Sequence, residues 1–252
     1  MNKIYSYFFA IFIIGCSPEK AVKTTDANPI RVVKNKDTLL EKPVTKADTS
    51  RLEKYLFSNG LVNINDLDSS FKINLVYNDT SNFLHFRIYD SLSKALLPCD
   101  VAIKLCNAQF YLKQINPKLS LLIYDATRPH SIQKLIWDSL KMEPNLKYNY
   151  VATPWDISLH NYGAAVDLSI MDTKTGKILD MGTSVDFFGK LAEPIYEKQF
   201  LKTKQLSDTA YHNRLLLRKV MLTARFYPIS SEWWHFNSCN KDFAAQNYVL
   251  IK

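Results

Sequence analysis

The sequence predicts an α+β fold, with a central antiparallel sheet flanked by helices. Three observations predict it. Helix-period and strand-period segments are mixed without the regular βαβ alternation of a parallel sheet. A Thr173-Lys174-Thr175-Gly176 turn sits between two strand-like segments, the pattern of a hairpin. Of the 252 residues, 47% are hydrophobic and 22% charged, enough apolar surface for a substantial core and too little charge for a disordered chain.

The elements follow in order. Residues 17 to about 50 are rich in Lys, Thr, Asp, Asn and Pro and contain no aromatic residue, so they read as a tether that cannot bury a core. The globular part begins near Leu52. Phe71 to Tyr77 alternates as a strand through Phe71, Ile73, Leu75 and Tyr77. Ala95 to Ile115 carries Val101, Leu105, Ala108 and Leu112 at helical spacing; Pro98 suits an early helical position, and Asn116-Pro117 ends the helix. Leu119 to Tyr124 is an apolar run interrupted by one serine, a buried strand. Ser131 to Leu140 reads as a short helix, Ala164 to Met171 as a strand, and Lys177 to Met181 as its hairpin partner. Asp208 to Phe226 is a long helix carrying Leu215, Leu216, Val220 and Leu222. Ser230 to Phe236, rich in aromatics, is the last clear strand.

The first residues lie outside that fold. A positive start (Met1-Asn2-Lys3) precedes a nearly apolar stretch from Tyr5 to Ile14, then Ile13-Ile14-Gly15-Cys16. This is the layout of a secretory signal. About ten residues of helix reach only about half of a ~30 Å hydrocarbon core, which disfavours a membrane-spanning anchor. The tetrapeptide ending in Cys16 resembles a bacterial lipobox. It implies cleavage before Cys16, a lipid on its thiol, and a place in the bacterial cell envelope, periplasmic or outer-membrane-associated, held by that lipid. An ordinary export signal with a chance cysteine is the alternative. Cys99, Cys106 and Cys239 remain. The first two, seven residues apart on one helix, stand roughly 10 Å apart, beyond disulfide reach. Either can pair with Cys239, and an odd number leaves one over. The absence of any C-x-x-C pair argues against a cysteine-rich zinc site.

The net charge of +8 raises nucleic acid as a partner. No run of five or six basic residues exists and the lysines are scattered between acids, so a solvated basic surface is the reading, with no nucleic acid and no evident obligate protein partner. Weak attraction to an anionic envelope is the alternative.

Chemistry concentrates in three segments. In Ser158-Leu159-His160-Asn161-Tyr162-Gly163-Ala164-Ala165-Val166-Asp167, a histidine and an aspartate flank small residues that allow a tight turn into a strand. Imidazole and carboxylate are both zinc donors. A solvent-facing aspartate with a loop histidine fits these residues equally well. In Ser231-Glu232-Trp233-Trp234-His235-Phe236, a glutamate and a histidine sit among large apolar side chains. Burial there would raise the glutamate's pKa toward that of a general base, with His235 as a third ligand. In a flat strand, positions 232 and 235 face opposite sides, so both reach one site only if the chain bends or ends there. A core histidine and a salt-bridged glutamate is the alternative. The third segment, Tyr124-Asp125-Ala126-Thr127-Arg128-Pro129, follows the buried strand; Arg128 suits stabilisation of an oxyanion or a purely structural role.

Taken together, the three segments resemble the D-alanyl-D-alanine dipeptidases of vancomycin resistance and peptidoglycan recycling. The order is the same: Arg-Pro, then Ser-x-His-x-x-Gly-x-Ala-x-Asp, then Glu-x-x-His. The resemblance runs from about Leu75 to Phe236, and includes Tyr77, Asn82-Phe83 and Met181-Gly182-Thr183-Ser184-Val185-Asp186-Phe187. It implies a catalytic domain over 51–252, with one Zn2+ per chain, bound at the sheet by His160, Asp167 and His235. It implies Glu232 as general base, Arg128 on the tetrahedral intermediate, and Asp186, Ser158 and Tyr77 in the pocket of a small D,D-dipeptide, Asp186 meeting its amino group. Two departures, His85 where the family has glycine and Thr127 where it often has tyrosine, fall in the expected pocket wall and bear on the substrate. His85, His130 and His212 match no zinc position. A D,D-carboxypeptidase acting on longer muropeptides, a non-catalytic envelope binding lipoprotein and a purely structural zinc are the competing readings.

Overall fold

The computed structural model describes residues 50–89, 92–143, 147–148 and 151–252. The signal-like segment, Cys16 and the tether lie outside the described residues. Helix α1 (Arg51–Ser58) begins where the Ser50 hydroxyl accepts the Glu53 amide. Strand β1 (Leu61–Asn63), helix α2 (Ile64–Leu67) and strand β2 (Lys72–Ile73) follow, then β3 (Leu96–Pro98), which pairs antiparallel with β1. Pro98 closes β3, and α3 (Cys99–Ile115) starts at the next residue, so the helix expected from Ala95 begins four residues later and Leu96–Pro98 instead pair as a strand with β1.

The remaining elements are β4 (Leu119–Asp125), α4 (His130–Ser139), β5 (Ala165–Asp172), α5 (Glu197–Lys202), α6 (Asp208–Thr223), β6 (Tyr227–Pro228), β7 (His235–Asn237) and α7 (Lys241–Asn247). The main sheet runs β2-β4-β5-β7-β6. Every pairing is antiparallel except β2 with β4. The α+β expectation of helices around an antiparallel centre holds, with one short parallel edge.

Alternation explains which face holds the core. Leu119, Leu121 and Ile123 of β4 and Val166, Leu168 and Ile170 of β5 join one apolar cluster with Val101, Leu105, Ala108 and Leu112 of α3 and Leu217, Val220 and Met221 of α6. Asp167, between Val166 and Leu168, therefore points to the opposite face. By the same alternation Asp125 would follow Ile123 toward the helices. A register shift between Ile123 and Asp125 instead sets it opposite Asp167.

Three predicted strands are shorter than their patterns. Over Phe71–Tyr77 only Lys72–Ile73 pairs; the Asn74 amide makes one more bond to Ile123 O (2.9 Å), and the chain then turns through a 3-10 segment, Val76–Asn78. Phe71, Leu75 and Tyr77 are buried all the same, so the alternation recorded burial rather than sheet pairing. The β2 pairing ends early on β4, and the Leu121 amide donates to Gln109 Oε1 of α3 (2.8 Å). The hairpin after β5 closes with a single bridge, Met171 to Ile178. Over Ser230–Phe236 the chain bends until Trp234, and only His235–Asn237 is strand. Cys106 and Cys239 are free thiols and so are not joined to each other.

Candidate active site

The site is built where β4, β5 and β7 meet. His160 lies in a 3-10 turn, Leu159–Tyr162, capped by Ser158, whose hydroxyl accepts the His160 amide (3.3 Å) while Asn161 Oδ1 accepts the Ser158 amide (2.9 Å). Gly163 ends the turn with φ +66°, and a Cβ there would lie 2.5 Å from Thr127 Oγ1 and 2.6 Å from Pro98 Cδ. Only glycine fits both the conformation and the space. The chain then enters β5, which delivers Asp167 opposite His235 of β7.

The donor atoms of His160, Asp167 and His235 converge. His160 Nε2 lies 3.3 Å from Asp167 Oδ2 and 3.2 Å from His235 Nδ1, and His235 Nδ1 lies 3.0 Å from Asp167 Oδ1. Tetrahedral bonds of ~2.0–2.1 Å would set ligand atoms about 3.3 Å apart, so the spacing suits a small ion such as zinc. The outer nitrogen of each ring decides the proton inventory. His160 Nδ1 lies 2.7 Å from Ala126 O, which can only accept, and His235 Nε2 lies 2.8 Å from Asn237 Oδ1. Each ring donates outward and turns a lone pair inward. Two lone pairs and a carboxylate thus face one another with no proton between them when both rings are neutral. That is a set of acceptors fitted to a cation.

The Ser230–Trp234 bend resolves the strand problem, since it brings Glu232 to the side of His235, with Oε2 3.9 Å from His235 Nδ1. Arg128, buried, reaches Asp167 Oδ2 with Nη2 at 3.4 Å and lies over the Tyr77 ring, 5.1 Å from its centroid. Its position is set by two residues to which the sequence assigned no role. Asp125 Oδ2 accepts Nε at 2.7 Å and contacts Nη2 at 2.6 Å, and Gln133 Oε1 accepts Nη1 at 3.0 Å. An acid ending an otherwise apolar buried strand was a signal for Asp125, because it must be paired; Gln133 gave none.

All eight predicted site residues within the described segments line one cavity of about 230 Å3: Tyr77, Arg128, Ser158, His160, Asp167, Asp186, Glu232 and His235. This is below the ~300–1,000 Å3 of drug-sized pockets, so it suits a small ligand. Burial pushes Glu232 up to about 7; His235 opposes this and Asp167 and Asp186 reinforce it. Burial also pushes Asp186 up to about 7, with Asp167 adding to the effect. One Asp186 oxygen, Oδ2, is buried without a protein hydrogen-bond partner, and the residue holds φ +56°. Burial acts upward on Asp167 too, but the two imidazoles, when they carry an inward proton, hold it well below the usual carboxylate range.

The two departures from the family pattern do not line this cavity. His85 is exposed at φ +58°, which explains glycine's preference there as conformational. Thr127 is buried against Gly163 and donates to Leu96 O. His212 is exposed, with Nδ1 2.7 Å from Asp208 O; His130 begins α4, with its Nε2 buried.

The profile described as D-ala-D-ala dipeptidase matches residues 57–251. The chain belongs to the D-ala-D-ala dipeptidase family. Among curated members, the D-alanyl-D-alanine dipeptidase of Escherichia coli is 37% identical over 118 residues, covering 47% of this chain and 54% of that protein. The chain thus spans about half the length of that relative. The Enterococcus faecalis D-alanyl-D-alanine dipeptidase is 28% identical over 159 residues, covering 57% of this chain and 73% of that protein. Among solved structures, VanYB in complex with D-alanine-D-alanine is similar at 15% identity and a TM-score of 0.37, over 62% of this chain and 80% of that one. As a family member, the chain presents its candidate His-Asp-His metal centre within the matched residues.

Proposed function

We propose that this chain is a zinc-dependent D,D-dipeptidase that cleaves D-alanyl-D-alanine, or a similar D,D-dipeptide, in peptidoglycan metabolism. The observation that carries the reading is the convergence of three inward-facing acceptors, a partly buried glutamate 3.9 Å from one of them and a fixed arginine in one small cavity. Membership of a family whose relatives bear that name supports the substrate class.

His160, Asp167 and His235 would hold the zinc ion. When bound, the ion supplies Lewis acidity, polarising the scissile carbonyl and making a nearby water a stronger acid. Glu232 removes a proton from the attacking water and returns it to the leaving amine. The Arg128 guanidinium, immobilised by Asp125 and Gln133, faces the negative charge that develops on the carbonyl oxygen. Asp186, whose buried Oδ2 has no protein hydrogen-bond partner, receives the substrate's ammonium group, while Tyr77 and Ser158 bound the pocket. We also propose that a lipid on Cys16 tethers the enzyme in the cell envelope, which suits a wall-derived substrate.

The test is hydrolysis of D-Ala-D-Ala, its N-acetylated form, and L,D- and L,L-dipeptides, with and without zinc. The expected result is zinc-dependent cleavage restricted to the D,D-dipeptide with a free amine. Equal cleavage of the N-acetylated form would assign a D,D-carboxypeptidase instead. No cleavage of any D,D-substrate by zinc-loaded protein would leave a binding module.

A further inference from the structure

Asp186 sits midway along the segment from Met181 to Leu191, and both ends of that segment are held by one side chain. Arg214 of α6 donates from Nε to Met181 O (2.7 Å) and from Nη1 to Leu191 O (3.1 Å). It is 1% exposed. Its guanidinium also lies 5.6 Å from the Trp233 ring centroid, and Trp233 Nε1 donates to Thr183 Oγ1 at 2.8 Å. Trp233 follows Glu232 directly in the chain. One buried cation thus touches the neck of the Asp186 loop and the segment that carries Glu232.

Its ion pair does not explain its burial. Glu197 accepts Arg214 Nη1 at 3.3 Å, but Arg218 already engages both Glu197 oxygens. A buried guanidinium is costly to desolvate, and an apolar side chain of similar volume often serves stability as well. What an apolar side chain cannot do is fork two hydrogen bonds to carbonyls ten residues apart in sequence. The loop needs that support. Asp186 holds a left-handed φ of +56° with a buried, unpartnered oxygen, and such a conformation persists only when its surroundings over-determine it.

We propose that Arg214 is a positioning residue: it clamps the neck of the 181–191 loop and so aims the Asp186 carboxylate at the substrate's ammonium, beside Glu232. The proposal rests on the reading of Asp186 as the amine-binding group. Arg214→Lys keeps the charge but replaces the fork with a single point donor. Arg214→Met removes the charge and leaves Glu197 with Arg218, giving a second variant should the first fail to fold.

Two measurements test it on the zinc-loaded protein. Amide hydrogen exchange is expected to speed up within 181–191 in either variant, while β4 and β5 exchange as in the wild type. Steady-state kinetics with D-Ala-D-Ala are expected to show KM raised on the order of 10–100-fold, with a smaller fall in kcat and unchanged zinc content. In an Asp186→Asn background the KM effect of Arg214→Lys should vanish, which a general loss of stability would not produce. Unchanged exchange across the loop, exchange raised equally throughout the sheet, or KM effects that multiply in full would each overturn the clamp. Should wild-type protein hydrolyse no D,D-dipeptide, the function fails, and hydrogen exchange alone still decides whether Arg214 holds the loop.

Discussion

Replacing Asp125 with asparagine removes a negative charge from beneath Arg128 while keeping the side chain's shape. In the wild type, Arg128 is shared between two carboxylates that face each other across β4 and β5, much closer to Asp125 (2.6 and 2.7 Å) than to Asp167 (3.4 Å). An asparagine oxygen still accepts one hydrogen bond, so the loss is less than the ~3–5 kcal/mol of leaving a buried charge wholly unpaired. One charge-assisted bond is worth about 1.5–3 kcal/mol. At ~2–4 °C per kcal/mol for a domain of this size, Tm should fall by about 3–12 °C. The second consequence is specific to the site. Asp167 becomes the remaining carboxylate for Arg128, and a guanidinium drawn toward Oδ2 competes with the metal for that oxygen. Loss of an outer partner commonly weakens metal binding by about 10–100-fold. Competition titration of zinc against a chromogenic chelator measures this, and a thermal scan measures the first effect. Zinc affinity equal to the wild type, alongside a lowered Tm, would refute the argument that Asp125 keeps Arg128 off the ligand.

Glu232→Gln should retain zinc and lose about 10²–10⁴-fold in kcat, and a variant within tenfold of the wild type would remove Glu232 as the base. His160→Ala and His235→Ala should lose zinc by elemental analysis; full occupancy in either would strike that residue from the ligand set. Gly163→Ala should cost roughly 2–4 kcal/mol, because its Cβ meets Thr127 Oγ1 at 2.5 Å in a left-handed turn, and a Tm equal to wild type would show that the turn relaxes freely. His85→Gly should add about 0.5–1 kcal/mol in chemical denaturation, since relief of the left-handed strain exceeds glycine's entropic cost, with unchanged kinetics.

What could be read from the sequence follows from how locally each feature is determined. The long helices are legible in part, since the residues expected to open α3 pair as β3, and on α6 Leu215 and Leu222 are exposed while Leu217 and Met221 are buried; the buried strands β4 and β5 carry their burial pattern within their own residues and appear where expected. The 71–77 and 230–236 segments do not. Their apolar alternation is met by burial alone, and where pairing stops depends on hydrogen bonds to distant chain: Ile123 O for the first and Trp234 O, which accepts the Leu168 amide, for the second.

The site divides along the same line, and the division has a physical basis. His160, Asp167, Glu232 and His235, the proposed ligands and base, are recognisable because such roles demand particular residue types, at spacings set by a turn and a bend. The groups that orient them need only present an oxygen or a guanidinium at the right point, and any backbone can supply an oxygen. Ala126 fixes the His160 tautomer with its carbonyl, so its side chain leaves no trace in the sequence. Arg214 likewise acts on Met181 and Leu191 through main-chain oxygens, whereas Asn237 serves His235 through its own side-chain Oδ1 from two residues away. A residue whose partner is main chain carries no complementary side chain to reveal it, so these supports emerge only once the fold has brought the segments together. It follows that substitutions at Asp125 and Asn237 should alter metal affinity, and those at Arg214 substrate recognition, while leaving the reacting groups untouched.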